Sequence, residues 1–376
     1  TRAYKSGGYG SYAIYPFHDY EFGDTGLTRE DARPDDFDPE EVLSWEIGSK
    51  GRFLDGRAQT EVAAYYYTYQ DLQTVATMFT QLVGYQEMVR VVKERIRANP
   101  GATMISISQN DWHGYCECEP CQTLDEREGT HAGTLIHFIN AVAEEVEKEF
   151  PGILIETLAY QYTRKPPQHV RPRHNVVIRL CSIECSFVET LAEGKDEANV
   201  AFREDLEAWA RISPQLYIWD YVTNFQAYLV PHPNFHVLAP NLRYFVRQGT
   251  IGIFEQGDSG CRVGDFVRLR AWYLAHLLWN PDADEQRLLD EFTNGYYGAA
   301  GPYLVQTIRL MSDAARRAGI PIRCFMSDTR GWLPLSDLNR AMKLYEQAAA
   351  AVADDPVLAE RVRRERLPLD HVWLQR

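Results

Sequence analysis

The sequence has no long hydrophobic run, no glycine-rich phosphate loop and no excess of positive charge. No apolar stretch among its 376 residues approaches the roughly 18 residues that a membrane-spanning helix needs. Neither G-x-x-x-x-G-K-[S/T] nor a strand followed by G-x-G-x-x-G occurs, so nucleotide-dependent chemistry has no support. Lys and Arg total 39 against 53 Asp and Glu, and the formal charge of −14 repels phosphate backbones and anionic lipid. We therefore expect neither a nucleic-acid partner nor a membrane span.

The chain starts at Thr1, without an initiator methionine and without a charged segment followed by an apolar one. Such a start is typical of a processed or excised product whose targeting signal has been removed. An apolar fraction of 45% and a charged fraction of 24% are ordinary for globular proteins and exclude a disordered or collagen-like chain. At this length, one large core with an appendage is the expected organisation.

Hydrophobic periodicity divides the chain into an irregular start and a regular α/β region. Residues 1–80 show no clean period and predict only loops and short strands. From residue 86, apolar side chains at Met88, Val92 and Ile96 recur at helical spacing and predict an amphipathic helix. Short β-rich runs then alternate with amphipathic helices, which is typical of a parallel sheet. The five predicted strands are 103–108, 153–160, 176–181, 216–221 and 251–255.

Two further segments differ from this alternation. Between the second and third predicted strands, the tandem Pro166-Pro167 and Pro172 exclude a helix and predict an extended loop. After residue 265, apolar stripes at helical spacing predict helices almost to the end of the chain.

Acidic side chains close most of the predicted strands. Asp111 follows the first strand, Glu184 follows the third, and Asp220 and Glu255 end the fourth and fifth. Because the carboxyl ends of parallel strands share one edge of a sheet, we expect these four carboxyls to face one site. The polar and aromatic residues predicted to complete that site are Asn110, Trp112, His113, Tyr160, Tyr162, Trp219, Tyr221, Asn224 and Gln256.

Converging carboxyls beside flat rings suit the cleavage of a glycosidic bond. One acid protonates the leaving oxygen, and a second carboxylate acts as base or nucleophile on the opposite face. The 22 Tyr, 16 Phe and 8 Trp residues can supply rings for sugar stacking, although aromatic residues also dominate large cores. Each acidic residue taken alone could equally cap a helix or pair with an arginine. The hypothesis therefore depends on all four carboxyls together with the rings beside them.

A cluster of three cysteines, C-x-C-x2-C, follows the first strand end directly. Cys116, Cys118 and Cys121 could bind a structural zinc ion if a fourth ligand such as His113 approached. A disulfide from Cys181 or Cys185 to the cluster, or plain reduced thiols, are the alternatives.

Seven sequence strings together resemble those of a known family. They are SISQNDWHGYCECEPC, TLAYQYTRKPP, VIRLCSIEC, LYIWDYVTNF, PNLRYF, GIFEQG and LLWNPDAD, in this order. They are similar to an uncharacterised domain family of bacterial polysaccharide-degrading systems, itself similar to the α-glucuronidases and β-hexosaminidases of the TIM-barrel glycoside hydrolases. The resemblance covers about residues 80–312.

The resemblance implies a (β/α)8 TIM barrel, irregular or incomplete at its N-terminus, since residues 1–80 depart from the family pattern. We accordingly predict a barrel over residues 1–310 and a C-terminal helical extension over residues 311–376. In the related enzymes the general acid ends the fourth barrel strand, which corresponds to Asp111 here. The related β-hexosaminidases carry Asp-Glu at that point, whereas this chain has Asn110-Asp111, so the resemblance favours the water-activating arrangement of the α-glucuronidases. Glu184, Asp220 and Glu255 are the candidates for its second half.

The sequence thus predicts a glycoside hydrolase that acts on a complex glycan containing uronic acid or amino sugar. Asp111 is the expected proton donor, Glu184 or Asp220 the base or nucleophile, and Glu255 a residue that orients water or sugar. We expect an oligosaccharide or polysaccharide partner, no cofactor required for catalysis, and, from the resemblance, an extracellular or periplasmic location. A carbohydrate-binding barrel that has lost catalysis, and a zinc-supported scaffold or hydrolase built on the three cysteines, are the competing hypotheses.

Overall fold

The computed structural model describes residues 85–376, apart from 112 and 259–262, together with five strand segments within residues 2–70. Its contacts divide the chain into two units, Thr1–Arg95 and Ile96–Arg376.

The strands of the first unit are antiparallel. β1 (Arg2–Lys5) pairs with β4 (Glu40–Phe53), β4 pairs with β5 (Ala58–Gln70), and β2 (Gly8–Tyr9) pairs with β3 (Asp36–Phe37). β4 and β5 form a hairpin whose register runs from Phe53↔Ala58 to Glu41↔Gln70. Strands of 14 and 13 residues are longer than the short strands that the sequence predicts here. The Val, Thr and Tyr content of β5 fits this outcome, since β-branched and aromatic residues favour strands.

Helix α1 (Tyr85–Ala98) confirms the amphipathic helix predicted from the spacing of apolar residues. It ends before Pro100, as expected, because proline disfavours helical geometry at the residue before it.

The second unit contains a parallel sheet of five strands in the order β10-β9-β8-β7-β6. Its strands are β6 (Met104–Ser106), β7 (Leu154–Ala159), β8 (Val176–Cys181), β9 (Leu216–Tyr221) and β10 (Gly252–Gln256). All five predicted strands are therefore confirmed, and neighbours in sequence are neighbours in the sheet. The proline-rich connection from β7 to β8 contains only one short 3-10 turn, Gln161–Thr163, as its prolines require.

The prediction of a (β/α)8 TIM barrel is wrong. A barrel closes only when its last strand pairs with its first, whereas in the described part of the chain β6 and β10 each pair on one side only. The strands described before β6 are antiparallel and form separate sheets, so they do not extend the parallel sheet. The α/β character is correct, but over the described residues the parallel sheet has five strands and does not close.

Helices bury one side of the sheet. α2 (Glu119–Glu128) and α3 (Ala132–Glu147) connect β6 to β7, α4 (Glu197–Ile212) connects β8 to β9, and α5 (Phe235–Arg247) connects β9 to β10. α3 packs on β7 and β8, and Ile155, Ile178 and Ile218 of the covered side are fully buried. Burying one such side chain contributes about 1.5–3 kcal/mol.

The C-terminal region is helical, as predicted. Its helices are α6 (Val267–Trp279), α7 (Glu285–Tyr297), α8 (Gly301–Ala318), α9 (Leu335–Ala351) and α10 (Pro356–Leu374). Glu365 of α10 joins several of these elements, because it accepts hydrogen bonds from the Tyr297 hydroxyl and the Phe266 N–H, and its own carbonyl accepts one from Tyr345. Burial raises the pKa of Glu365 to about 7. The proposed domain boundary at residue 310 falls within α8 and stays a prediction. Over the described residues, none of the helices has the length and apolar composition needed to cross a bilayer.

Candidate functional site

The four predicted carboxyls follow strands of the same parallel sheet, at its carboxyl edge. Asp111 and Glu184 lie in the segments after β6 and β8. Asp220 and Glu255 are the second-to-last residues of β9 and β10. Side-chain alternation determines the side of the sheet only for the two carboxyls that lie within strands, Asp220 and Glu255. Asp220 and Glu255 share the helix-covered side with Ile218. Trp219, Tyr221 and their neighbours project from the other side, called here the open side.

Asp220 and Glu255 form a carboxyl pair in which Asp220 is the buried member. The two residues are register partners on adjacent parallel strands, and Asp220 is 2% exposed. Asp220 Oδ1 accepts hydrogen bonds from the Ser182 hydroxyl and from the Tyr221 N–H at 3.0 Å. Glu255 Oε2 is shielded from solvent and accepts no hydrogen bond within the described part of the chain.

Burial raises the pKa of both members of this pair. The pKa of Asp220 rises to about 6, and its two hydrogen bonds limit the rise. The pKa of Glu255 rises well above its usual range because burial and the neighbouring Asp220 charge both disfavour its ionised form. Both shifts disfavour full ionisation of the pair, and coupled carboxyls of this kind also occur in acid–base sites.

Asp111 lies on the open side with a phenol as partner. The Tyr160 hydroxyl donates to Asp111 Oδ1 at 3.0 Å. Burial and then this hydrogen bond raise the pKa of Tyr160, so the phenol stays a donor. Gln109 holds the start of the same loop, because its Nε2 donates to the Tyr160 carbonyl at 2.9 Å and its Oε1 accepts from Thr163. Asn110, Asp111 and His113 are exposed, and the predicted subsite residue Trp112 lies outside the described residues.

A row of aromatic rings lines the open side, and one of its members, Tyr221, interacts with Tyr160, the hydrogen-bond partner of Asp111. Phe254 meets Trp219 edge to face at 5.0 Å between centroids, Trp219 stacks on Tyr221 at 6.3 Å, and Tyr221 meets Phe225 at 5.9 Å. Phe225 continues the row to Phe325, which is 54% exposed. The indole N–H of Trp219 donates to Gln256 Oε1 at 2.7 Å, so this pair of predicted subsite residues is in direct contact.

Glu184 is held by an arginine at the rim. Arg164 donates to Glu184 Oε2 at 3.0 Å and to Asp205 Oδ2 at 2.8 Å. Arg164 is itself positioned by α4, since Trp209 donates its indole N–H to the Arg164 carbonyl at 2.7 Å. The Glu184 side chain remains 37% exposed, whereas Asp220 is inaccessible.

Two other predicted subsite residues have structural contacts. Asn224 donates to the Met326 carbonyl and accepts from the Met326 N–H, which ties two loops together. Tyr162 is half-buried and packs near Tyr115 and His131, with ring centroids at 5.8 and 6.0 Å.

The three clustered cysteines converge. The sulfur atoms of Cys116, Cys118 and Cys121 all lie within 4.8 Å of one another, and those of Cys116 and Cys118 are 3.3 Å apart. The six described cysteines are all free thiols. Cys181 and Cys185 are buried, and burial raises the pKa of both, which makes them unreactive.

Comparison with known proteins places the chain in a family. A family model described as a domain of unknown function, DUF4838, matches residues 68–309, which is more than half of the chain. The chain belongs to this family. The matched range is close to the range, about 80–312, over which the sequence strings indicate a family resemblance. The further likeness to α-glucuronidases and β-hexosaminidases stays a prediction.

Other matches are partial. A model described as TonB dependent receptor-like, beta-barrel, matches residues 1–103, which include the region that departs from the family strings. Among solved structures, the DUF4838 chain is similar to one described as a GH138 enzyme targeting pectin rhamnogalacturonan II, with 11% identity and a TM-score of 0.43. That match covers 80% of this chain and 52% of the other, so the chain spans about half the length of the structure it matches. No curated protein matches the chain.

The sequence analysis missed a charged pair in the middle of the DUF4838 sheet. Glu156 of β7 is 2% exposed, and its Oε1 lies 3.4 Å from Arg179 Nε on β8. The Arg179 guanidinium lies 5.7 Å from the ring centroids of both Tyr217 and Trp219. A charged residue inside each of the apolar runs ILIETLAY and VVIRLC was the signal that could have identified this pair.

Two cavities formed by the described residues of the DUF4838 chain include none of the four carboxyls in their lining. A cavity of about 650 Å³ is lined by residues of the loop after β8 and of α5 and α8, among them Glu189, Lys195, His236 and Arg316. A smaller one, of about 290 Å³, borders the loop of Asp111 and is lined by Gln109, Tyr115, Cys116, His131 and Tyr162. Within the described residues, Asp111 is exposed and Glu184 is partly exposed, and neither of these cavities encloses them.

Proposed function

We propose that this chain acts on glycans as a glycoside hydrolase, with Asp111 as the proton donor. The observation that carries the proposal is the hydrogen bond from Tyr160 to Asp111 beside the row of rings from Phe254 to Phe325. A carboxyl held next to flat rings combines the two things that cleavage of a sugar chain requires, a positioned acid and a stacking surface.

Glu184 is the better candidate for the second carboxylate. Its side chain is partly exposed and oriented by Arg164, so a water molecule or a sugar can reach it. Asp220 is buried on the helix-covered side and cannot contact a sugar on the open side without a rearrangement. We assign the Asp220–Glu255 pair a supporting role behind the site, where burial disfavours its full ionisation.

The open form of the site suits a chain-like or branched substrate. The exposed rings of Phe254 and Phe325 lie at the two ends of the row, so they can contact different sugar units of one chain. We propose that the substrate is an oligosaccharide or polysaccharide that contains uronic acid or amino sugar. We further propose that the protein acts outside the cell or in the periplasm and that catalysis requires no cofactor.

The test is hydrolysis of a panel of aryl glycosides and oligosaccharides that covers uronic acids, N-acetylhexosamines and neutral hexoses. Asp111→Asn should abolish turnover of any substrate found, and Glu184→Gln should lower kcat strongly. Asp354→Asn, an exposed carboxyl in the turn after α9, is the matched control and should retain full activity. Full turnover by Asp111→Asn would remove Asp111 as the acid.

A carbohydrate-binding protein without catalysis is the second candidate. The exposure of Asp111 and the open five-stranded sheet favour it, because glycosidic cleavage benefits from exclusion of water. Sugar binding that is lost in Trp219→Ala, with no turnover of any panel member, would support this candidate over the enzyme.

A further inference from the structure

The three clustered thiols have the geometry of a metal site. A tetrahedral zinc ion with sulfur ligands at about 2.3 Å requires the sulfurs to converge on one point within a few ångströms. All three sulfurs meet this condition, since they lie within 4.8 Å of one another. Two of them come from the loop before α2, and Cys121 lies in the first turn of α2. The cluster therefore joins a loop to the N-terminus of a helix.

The charge around the cluster favours a cation. Residues 109–126 contain five acidic residues, Asp111, Glu117, Glu119, Asp125 and Glu126, and no Lys or Arg. A cavity of about 510 Å³ beside Cys116 is lined by three of these acids, Glu117, Asp125 and Glu126. Three thiolates brought together in such surroundings repel one another unless a cation neutralises them.

We propose that Cys116, Cys118 and Cys121 bind one zinc ion, with the fourth coordination position open to water. Over the described residues, no further His, Cys, Asp or Glu side chain joins the cluster, and His113 is not part of it. Each thiol loses its proton when the ion binds, so binding releases protons and closes the segment 116–121 into a short loop.

The bound ion would add a further restraint to the loop that carries Asp111. At one end, Gln109 is hydrogen-bonded to Tyr160 and Thr163, and Asp111 is hydrogen-bonded to Tyr160. At the other end, Tyr115 stacks on His131 at 3.6 Å, and His131 is bonded to Asp125 at 2.6 Å. Cys116 follows Tyr115 directly, so a metal at the cluster restrains the loop beyond this stack. The site does not depend on glycosidase activity, because its ligands and its effect on the loop can both be measured without a substrate.

The experiment uses the full chain, reduced with a non-thiol reductant and purified without chelator. We expect one zinc ion per chain by elemental analysis. With Co²⁺ in its place, we expect the near-ultraviolet thiolate charge-transfer band and the visible bands of a tetrahedral site. Cys118→Ser should weaken binding by at least about 100-fold, more than the loss of an outer-shell partner causes. Asp354→Asn, which changes an exposed carboxyl in the turn after α9, should keep the metal and the spectrum.

Amide hydrogen exchange gives a second readout that is independent of the Co²⁺ absorption spectrum. Zinc should slow amide exchange in residues 109–118 of the unaltered chain but not in the variant in which all three cysteines are Ser. Substoichiometric zinc in the reduced chain, or a Co²⁺ spectrum that survives in the triple variant, would overturn the proposal. A third result would also overturn it. If the purified chain had a mass lower by two hydrogens, with a disulfide mapped to the cluster, and the chain bound no metal after reduction, the cluster would be a disulfide site.

Discussion

Replacing Asp220 by Asn should make the protein more stable at neutral pH and less sensitive to pH. Below the ordinary Asp pKa of 3.8, the carboxyl is protonated in both the folded and the unfolded state and contributes nothing. Between 3.8 and about 6, the folded state keeps a proton that the unfolded chain releases, so the free energy of unfolding falls as pH rises. Burial is the main cause of this shift, and the total loss above pH 6 is about 3 kcal/mol.

Asparagine resembles the protonated carboxyl and carries no charge. Its oxygen can still accept from Ser182 and from the Tyr221 N–H, and its amide lies beside the register partner Glu255. We therefore expect Asp220→Asn to match the unaltered protein near pH 4 and to exceed it by up to about 3 kcal/mol at pH 7.

Urea unfolding from pH 4 to pH 8 measures this difference, with Asp354→Asn as the exposed control. If the two free-energy curves stay parallel across this range, the buried pair does not titrate as described. A variant that is more stable yet impaired on any glycan substrate would indicate that the charge is kept for function, since active sites commonly sacrifice stability.

Two further substitutions test the packing. The raised pKa of buried Glu365 makes the free energy of unfolding fall as pH rises from 4.5 to about 7. Glu365→Gln should reduce this fall by about 3 kcal/mol. An unchanged fall in urea unfolding would contradict this expectation. Gly252→Ala should lower the free energy of unfolding by about 1–3 kcal/mol, because the new Cβ would lie 2.6 Å from the Tyr217 ring. Gly101→Ala, whose new Cβ would have no atom within 4 Å, should change it little. Equal thermal stability of the two variants would refute this reasoning.

Local patterns predicted the strands but not the closure of the sheet. Runs such as VVIRLC and LYIWDY have the length and composition of buried strands, and each is found at its predicted place. Whether β6 and β10 find a further partner depends on residues far apart in sequence, which no local period reports. The family resemblance supplied the eight-stranded expectation, and the antiparallel β4–β5 hairpin in place of lead-in strands explains why it is wrong.

The side assignment of the candidate acids could have been read from the sequence. In LYIWDY, alternation places Asp220 with Ile218 and opposite Trp219, so a carboxyl and a ring adjacent in sequence cannot both face a sugar. The Tyr160–Asp111 hydrogen bond and the Arg164–Glu184 pair could not be predicted, because each joins loops that follow different strands.

The connection between β7 and β8, which contains no α-helix, has a consequence for binding. Tyr160, Tyr162 and Arg164 all lie at its start, next to Pro166 and Pro167. Proline restricts the backbone before any ligand arrives, and the Trp209 indole holds the Arg164 carbonyl in place. A ligand that contacts these side chains therefore meets a surface that is already ordered and loses little of its affinity to freezing the loop. If the proposed glycan binds at this edge of the sheet, it would meet a rigid template rather than a loop that folds around it.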